Sequence, residues 1–145
     1  MGRRPRSLEA EALNGAIVDT NVLVRAATLD DERQAAVAEK LLKEAERVVI
    51  GMSCLCEFAW VLSRAYKHRP RVIAATIRRL VDEPSAIVDR PAVEAGLAAL
   101  DAGGDFADGV IAFEGRRMGG EVFVSFDRDA VKHLESIGAS AKLLR

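Results

Sequence analysis

A three-layer α/β/α sandwich around a mostly parallel central sheet is the fold this sequence predicts, on three observations. Short apolar runs that read as buried strands alternate with longer stretches of helical periodicity along the chain. The chain has 145 residues, half of them apolar and 30% charged, enough for one real core and too short for two full-sized units. Pro70, Pro91 and the Gly103-Gly104 pair fall where one run gives way to the next.

Residues 1–14 are polar and irregular and read as a loose extension; a single domain over 15–145 follows. Ala16-Ile17-Val18 is a short apolar run ending at Asp19, the look of a buried parallel strand. A brief helical turn over Asn21–Ala27 leads to a helix over Asp31–Arg47, where Ala35, Val37, Ala38, Leu41, Leu42 and Ala45 recur at helical spacing. Val48–Gly51 is the second strand, and Ser53 can cap a helix running to Tyr66. Pro70 punctuates before a helix over Arg71–Val81, and Ala86–Val88 is a third strand. Pro91 opens a helix that stops at Gly103-Gly104. Asp105–Met118 is helix, Glu121–Ser125 strand, Asp127–Ile137 helix and Ala141–Leu144 a last strand. In such a fold ligands gather outside the carboxyl ends of the strands.

Twenty-one basic and twenty-two acidic residues leave a net charge of -1, so any polyanion must be met by a local patch. Cys54 and Cys56, one residue apart in a helix, diverge and cannot bridge each other; they read as small buried hydrophobes of a reducing compartment. His68 and His133 stand alone, without the paired spacing of a zinc site. The basic opening Met-Gly-Arg-Arg-Pro-Arg runs into Ser7, Glu9 and Glu11, unlike a secretory signal. No stretch approaches the roughly 20 apolar residues of a membrane span, and the expectation is a cytoplasmic protein without a membrane partner.

The chemistry gathers in carboxylates. Asp19 closes the first strand, and Asp127 follows another apolar strand, Val122-Phe123-Val124-Ser125-Phe126. Both can equally be helix N-caps. Glu57 is the only charge between Met52 and Leu62 and falls at the edge of that helix's apolar arc, on the side of Trp60 and Arg64. A pair with Arg64 or plain solvation accounts for it just as well. Asp105 and Asp108 open a helix at the spacing of a capping box, and the same helical wheel sets them beside Ala112 and Gly115, where a ligand has room. As a set these acids meet at one sheet edge if the strands are doubly wound. Like charges about 4 Å apart repel by about 1 to 4 kcal/mol, so the cluster calls for a cation. Hard oxygen donors without Cys or His select Mg²⁺ or Mn²⁺, and phosphodiester hydrolysis is the chemistry such a set suits.

Ile17-Val18-Asp19-Thr20-Asn21-Val22-Leu23, Glu57 to Leu62 running on to Tyr66, Asp105-Phe106-Ala107-Asp108-Gly109-Val110-Ile111-Ala112 and Ser125-Phe126-Asp127-Arg128-Asp129 are four motifs in order. Together they resemble a PIN-domain ribonuclease, and more closely a VapC-type toxin of a toxin–antitoxin pair, over about Ala16 to Leu144. The resemblance implies a PIN-like fold and a metal-dependent endoribonuclease whose catalytic and metal-holding acids are Asp19, Glu57, Asp108 and Asp127. It implies supporting roles for Thr20, Asn21 and Ser125, with Asp105 or Asp129 joining through water. It further implies Mg²⁺ or Mn²⁺ as cofactor, a homodimer and inhibition by a cognate VapB-type antitoxin. Gly109 departs from the family's larger small residue and is expected to weaken its helix by roughly 1 kcal/mol relative to Ala.

Arg25, Arg64 and Lys67 are the candidate RNA contacts; the last two belong to a basic run continuing through His68, Arg69, Arg71, Arg78 and Arg79, which otherwise reads as a solvated face. Trp60 and Tyr66 are assigned to packing in a dimer rather than to stacking on bases. The competing readings are a haloacid-dehalogenase-like phosphohydrolase, which wants an acid where Asn21 stands, a receiver-like signalling domain, and a PIN fold that binds RNA or a partner without cutting.

Overall fold

The computed structural model describes residues 14–145. The segment 1–14 expected to be loose lies outside them except for Asn14, which is tied down: its carbonyl accepts both the backbone N–H of Arg47, at 3.0 Å, and the Arg47 Nε–H, at 3.2 Å.

Among the described residues, five short strands and seven helices follow one another in the expected order. Strand β1 (Gly15–Ile17) is followed by α1 (Thr20–Ala27) and α2 (Glu32–Glu44), and β2 (Arg47–Val49) by α3 (Met52–Arg64) and α4 (Pro70–Val81). Next come β3 (Ala86–Ile87), α5 (Arg90–Asp101), α6 (Phe106–Arg117), β4 (Phe123–Ser125), α7 (Arg128–Ser136) and β5 (Ala141–Leu143). Every pairing is parallel. In β1-β2-β3, Ala16 is opposite Val48 and Val48 opposite Ala86; in β4-β5, Val124 is opposite Lys142.

Three local expectations are corrected. The second helix stops at Glu44 instead of Arg47, because Arg47 is taken into the ladder opposite Gly15 and the tertiary pairing outweighs the helical period. Gly51, not Ser53, caps α3, with extended backbone and no side-chain bond; Ser53 lies inside the first turn. Pro70 begins α4 rather than preceding it, at a position whose N–H has no helical partner anyway.

Val18, Leu23, Val48, Ile50, Leu55, Phe58, Leu62, Ile77, Leu97, Phe106 and Val110 form the core, joining β1, β2, α1 and α3–α6. Ala130, Val131 and Leu134 of α7 are also buried but lie outside that cluster, and α7 packs on β4 and β5. The β4-β5 pair is thus closed by its own helix, and among the described residues no hydrogen-bonded ladder joins β4 to β1, each a strand of three residues. The expected sheet is divided at that point, and Ile17, on β1, is 85% exposed.

The α5–α6 crossing positions the site. Gly104 N–H bonds to Ala99 carbonyl and Gly103 N–H to Leu100 carbonyl, at 2.8 and 2.9 Å, with Gly103 at φ +89°, the double bond of a Schellman C-cap that only glycine closes without strain. Past that turn the helices lie so close that a Cβ on Gly109 would stand 2.4 Å from the Ala95 carbonyl oxygen. Glycine at 109 is therefore a packing requirement, and the expected weakening of the helix is outweighed by the close approach it permits.

Candidate functional site

Three of the acids are helix N-caps. Asp19 Oδ1 accepts the Val22 N–H at 3.3 Å, Asp105 Oδ1 that of Ala107 at 3.0 Å, and Asp127 Oδ1 those of Asp129 and Ala130 at 2.9 and 3.2 Å. Each cap uses Oδ1, and among the described residues Oδ2 of each has no hydrogen-bond partner. Ser125 Oγ accepts the Asp127 N–H at 2.9 Å and so pins the turn between β4 and α7.

The acids stand in two groups. In the first, the Thr20 hydroxyl donates to Glu57 Oε1 at 2.6 Å and lies 3.9 Å from Cys54 Sγ, joining the start of α1, and with it Asp19, to α3. Burial pushes the Cys54 thiol up, the Thr20 hydrogen bond opposes this, and the Asp19 and Glu57 charges add to it. In the second group, Asp108 sits half-buried in the first turn of α6. Its carboxyl is pushed up to about 6, first by burial and then by the charges of Asp105 and Asp127, with His133 acting the other way. A helix N-terminus favours a carboxylate by only about 0.3–1 kcal/mol, so crowding wins there. Cys56 links α3 to this side: burial and the charges of Glu114 and Asp105 push its thiol up to about 11. Both cysteines are free and half-buried rather than fully buried, and both are held as thiols.

Hard-cation chemistry fits this donor set. Among the described residues the ion pairs are Arg78–Asp101, Arg90–Asp82, Arg90–Glu94 and Arg117–Asp89, and neither Asp19, Glu57, Asp105, Asp108, Asp127 nor Asp129 has a basic partner. No three Asp, Glu, His or Cys side chains of the described residues converge on one point. Mg²⁺ needs no such convergence, since it keeps several waters and is held through one or two carboxylates.

Asn21 and Arg25 line the groove between α1 and α2, where Arg25 Nε donates to Gln34 Oε1 at 2.8 Å. Arg64 and Lys67 are exposed, and Asp129 is exposed in the first turn of α7. Glu57 makes no ion pair with Arg64 and is exposed, held by Thr20 instead. Tyr66 is half-buried and donates to Asp30 Oδ2 at 2.5 Å, whereas Trp60 is 55% exposed. His133, which stands alone in the sequence, is set by the fold against the α5–α6 turn, where a Cβ on Gly104 would meet its Cβ at 2.9 Å. Its distance of six positions from Asp127 in sequence carried no signal of this.

A family model, that of the PIN domain, matches residues 16–135, a span running from β1 into α7 and containing every acid above. The chain belongs to the PIN domain family. PIN domains are generally nucleases, which are hydrolases, typically use divalent metal ions, and imply an RNA substrate. No curated protein matches this PIN domain. Among its described residues no helix is long and apolar enough to cross a membrane.

Proposed function

We propose that this PIN domain is a metal-dependent endoribonuclease of the cytoplasm, the toxin of a VapBC-type pair, acting as a homodimer and restrained by a cognate VapB-type antitoxin. The observation that carries the nuclease reading is the half-buried Asp108, its carboxyl pushed up by burial and by the charges of Asp105 and Asp127 and without a basic partner among the described residues, in a chain matched to the PIN domain. The toxin, antitoxin and dimer rest on the likeness of its four motifs to VapC-type proteins.

Asp19, Glu57, Asp108 and Asp127 are the acids that hold Mg²⁺ or Mn²⁺. When bound, such an ion offsets the negative charge of the phosphodiester and makes a water a better nucleophile. Thr20 keeps Glu57 turned toward α1 through its 2.6 Å hydrogen bond, and Ser125 keeps the Asp127 turn closed. Capping through Oδ1 orients Asp19, Asp105 and Asp127 before any ligand arrives, so little side-chain entropy is lost on binding. Asp105 and Asp129 join through water.

Induced expression in a bacterial host tests the biological role. Growth arrest that is absent with Asp19→Asn, and relieved by co-expressing the product of the adjacent gene, is the expected result. Arrest that persists with Asp19→Asn contradicts the catalytic assignment. No arrest, from a folded protein without a bound inhibitor, favours a PIN fold that binds without cutting.

A further inference from the structure

Trp60 is the chain's one tryptophan, and more than half of it is exposed. At about 100° per residue, Ser53, Glu57, Trp60 and Arg64 of α3 fall within about 60° of arc, opposite the arc of Leu55, Phe58, Ala59 and Leu62 that is buried. The flanks of this exposed stripe are identified by the two cysteines: Cys54 lies on the side of Thr20 in α1, and Cys56 on the side of Asp105 and Glu114 at α6. The stripe therefore lies on the exposed side of α3 between its α1 flank and its α6 flank, with Glu57 one turn before Trp60. At about 1.5 Å of rise per residue, Trp60 stands about 4.5 Å and Arg64 about 10.5 Å farther along the helix axis than Glu57.

Charge says what passes over it. From Phe58 to Val81 there is no acid, while Arg64, Lys67, Arg69, Arg71, Arg78 and Arg79 supply six cations in a chain of net charge -1. Arg78 is paired with Asp101; among the described residues Arg64, Lys67, Arg69 and Arg71 are exposed and without an ion pair. A second copy of the chain seated on this stripe across a two-fold axis would set these cations near their own counterparts, which like-charge repulsion disfavours and which leaves the homodimer to another face. A single-stranded polyanion with flat bases suits both the cations and the ring.

We propose that Trp60 is a stacking platform for a base of single-stranded RNA next to the acid cluster, with Arg64 and Lys67 on the flanking phosphates. This rests on the ribonuclease reading above and departs from the expectation that Trp60 packs a dimer. A single tryptophan makes the test direct. Asp108→Asn protein, in Mg²⁺, is titrated with a mixed-sequence single-stranded oligoribonucleotide and with an abasic strand of the same length, and the tryptophan emission is followed. Quenching by the RNA but not by the abasic strand is expected. Trp60→Ala, introduced into the same protein and followed by strand anisotropy, is expected to weaken RNA binding by about 5- to 150-fold and Trp60→Phe far less. Arg64→Gln and Lys67→Gln should each lower the slope of log K against log salt by nearly one.

If wild-type protein cuts RNA but emission is unmoved and Trp60→Ala binds as before, the platform is wrong and the ribonuclease reading stands. If the wild type neither binds nor cuts RNA, both fall. An emission change that follows protein concentration without RNA overturns the platform in favour of an interface between copies.

Discussion

Replacing Asp108 with Asn should make the metal-free protein more stable while abolishing cleavage. The Asp108 carboxyl is raised from its ordinary value near 3.8 to about 6, chiefly by burial and then by the charges of Asp105 and Asp127. Two pKa units correspond to about 3 kcal/mol, and because water still reaches this half-buried group the penalty is discounted to about 1–2 kcal/mol. The sign follows from proton uptake. Between pH 3.8 and 6 the folded protein binds the proton that the unfolded chain has released, so this group's contribution to stability falls as pH rises through that window and stays low above it. Asn keeps the shape and carries no charge. Urea unfolding in EDTA, followed by far-UV circular dichroism, should therefore show Asp108→Asn about 1–2 kcal/mol more stable than wild type at pH 7.5, or roughly 3–6 °C in Tm, with the difference closing near pH 4. Equal or lower stability of the variant at pH 7.5, or a gain unchanged at pH 4, would refute the crowding argument.

Mg²⁺ at ten times its dissociation constant should raise wild-type stability by about 1.4 kcal/mol in a thermal scan and raise Asp108→Asn measurably less. Asp127→Asn and Asp127→Ala should both abolish cleavage and differ in stability, because Asn can still accept the Asp129 and Ala130 N–H groups while Ala loses the cap at about 1 kcal/mol; urea midpoints separate the two effects. Gly109→Ala should destabilise by about 1–3 kcal/mol despite the better helix propensity of Ala, since the added methyl meets the Ala95 carbonyl; a stabilised variant would show that the α5–α6 crossing is looser than described.

The alternation of apolar runs and helical periods made the succession of strands and helices legible, because each strand is short and apolar enough to stand out between longer helical periods. Boundaries were less so: Arg47 continues a helical pattern, and only its pairing with Gly15, a contact distant in sequence, makes it strand. Nothing in the chain announced that β4 and β5 close on α7 without a ladder to β1, since strands of three residues carry no register information about a neighbour. At the site, Asp19, Asp105 and Asp127 are legible as caps, and the structure bears out that reading with one oxygen of each, which among the described residues leaves the other without a hydrogen-bond partner. Gly109 was misread as a propensity defect because the nearness of Ala95 is a tertiary fact. His133 reads only as a lone histidine in the sequence for the same reason: what matters about it is the turn it rests on.

Cleavage of total cellular RNA by the purified chain, stripped of any bound inhibitor, tests the central claim most directly, with Mg²⁺ or Mn²⁺ against EDTA and Asp108→Asn in parallel. The acid cluster predicts cutting that needs the metal and disappears in the variant, whose circular dichroism spectrum stays that of the wild type. Cutting that survives in EDTA or in Asp108→Asn, or a folded, metal-binding wild type that leaves every RNA intact, would contradict it.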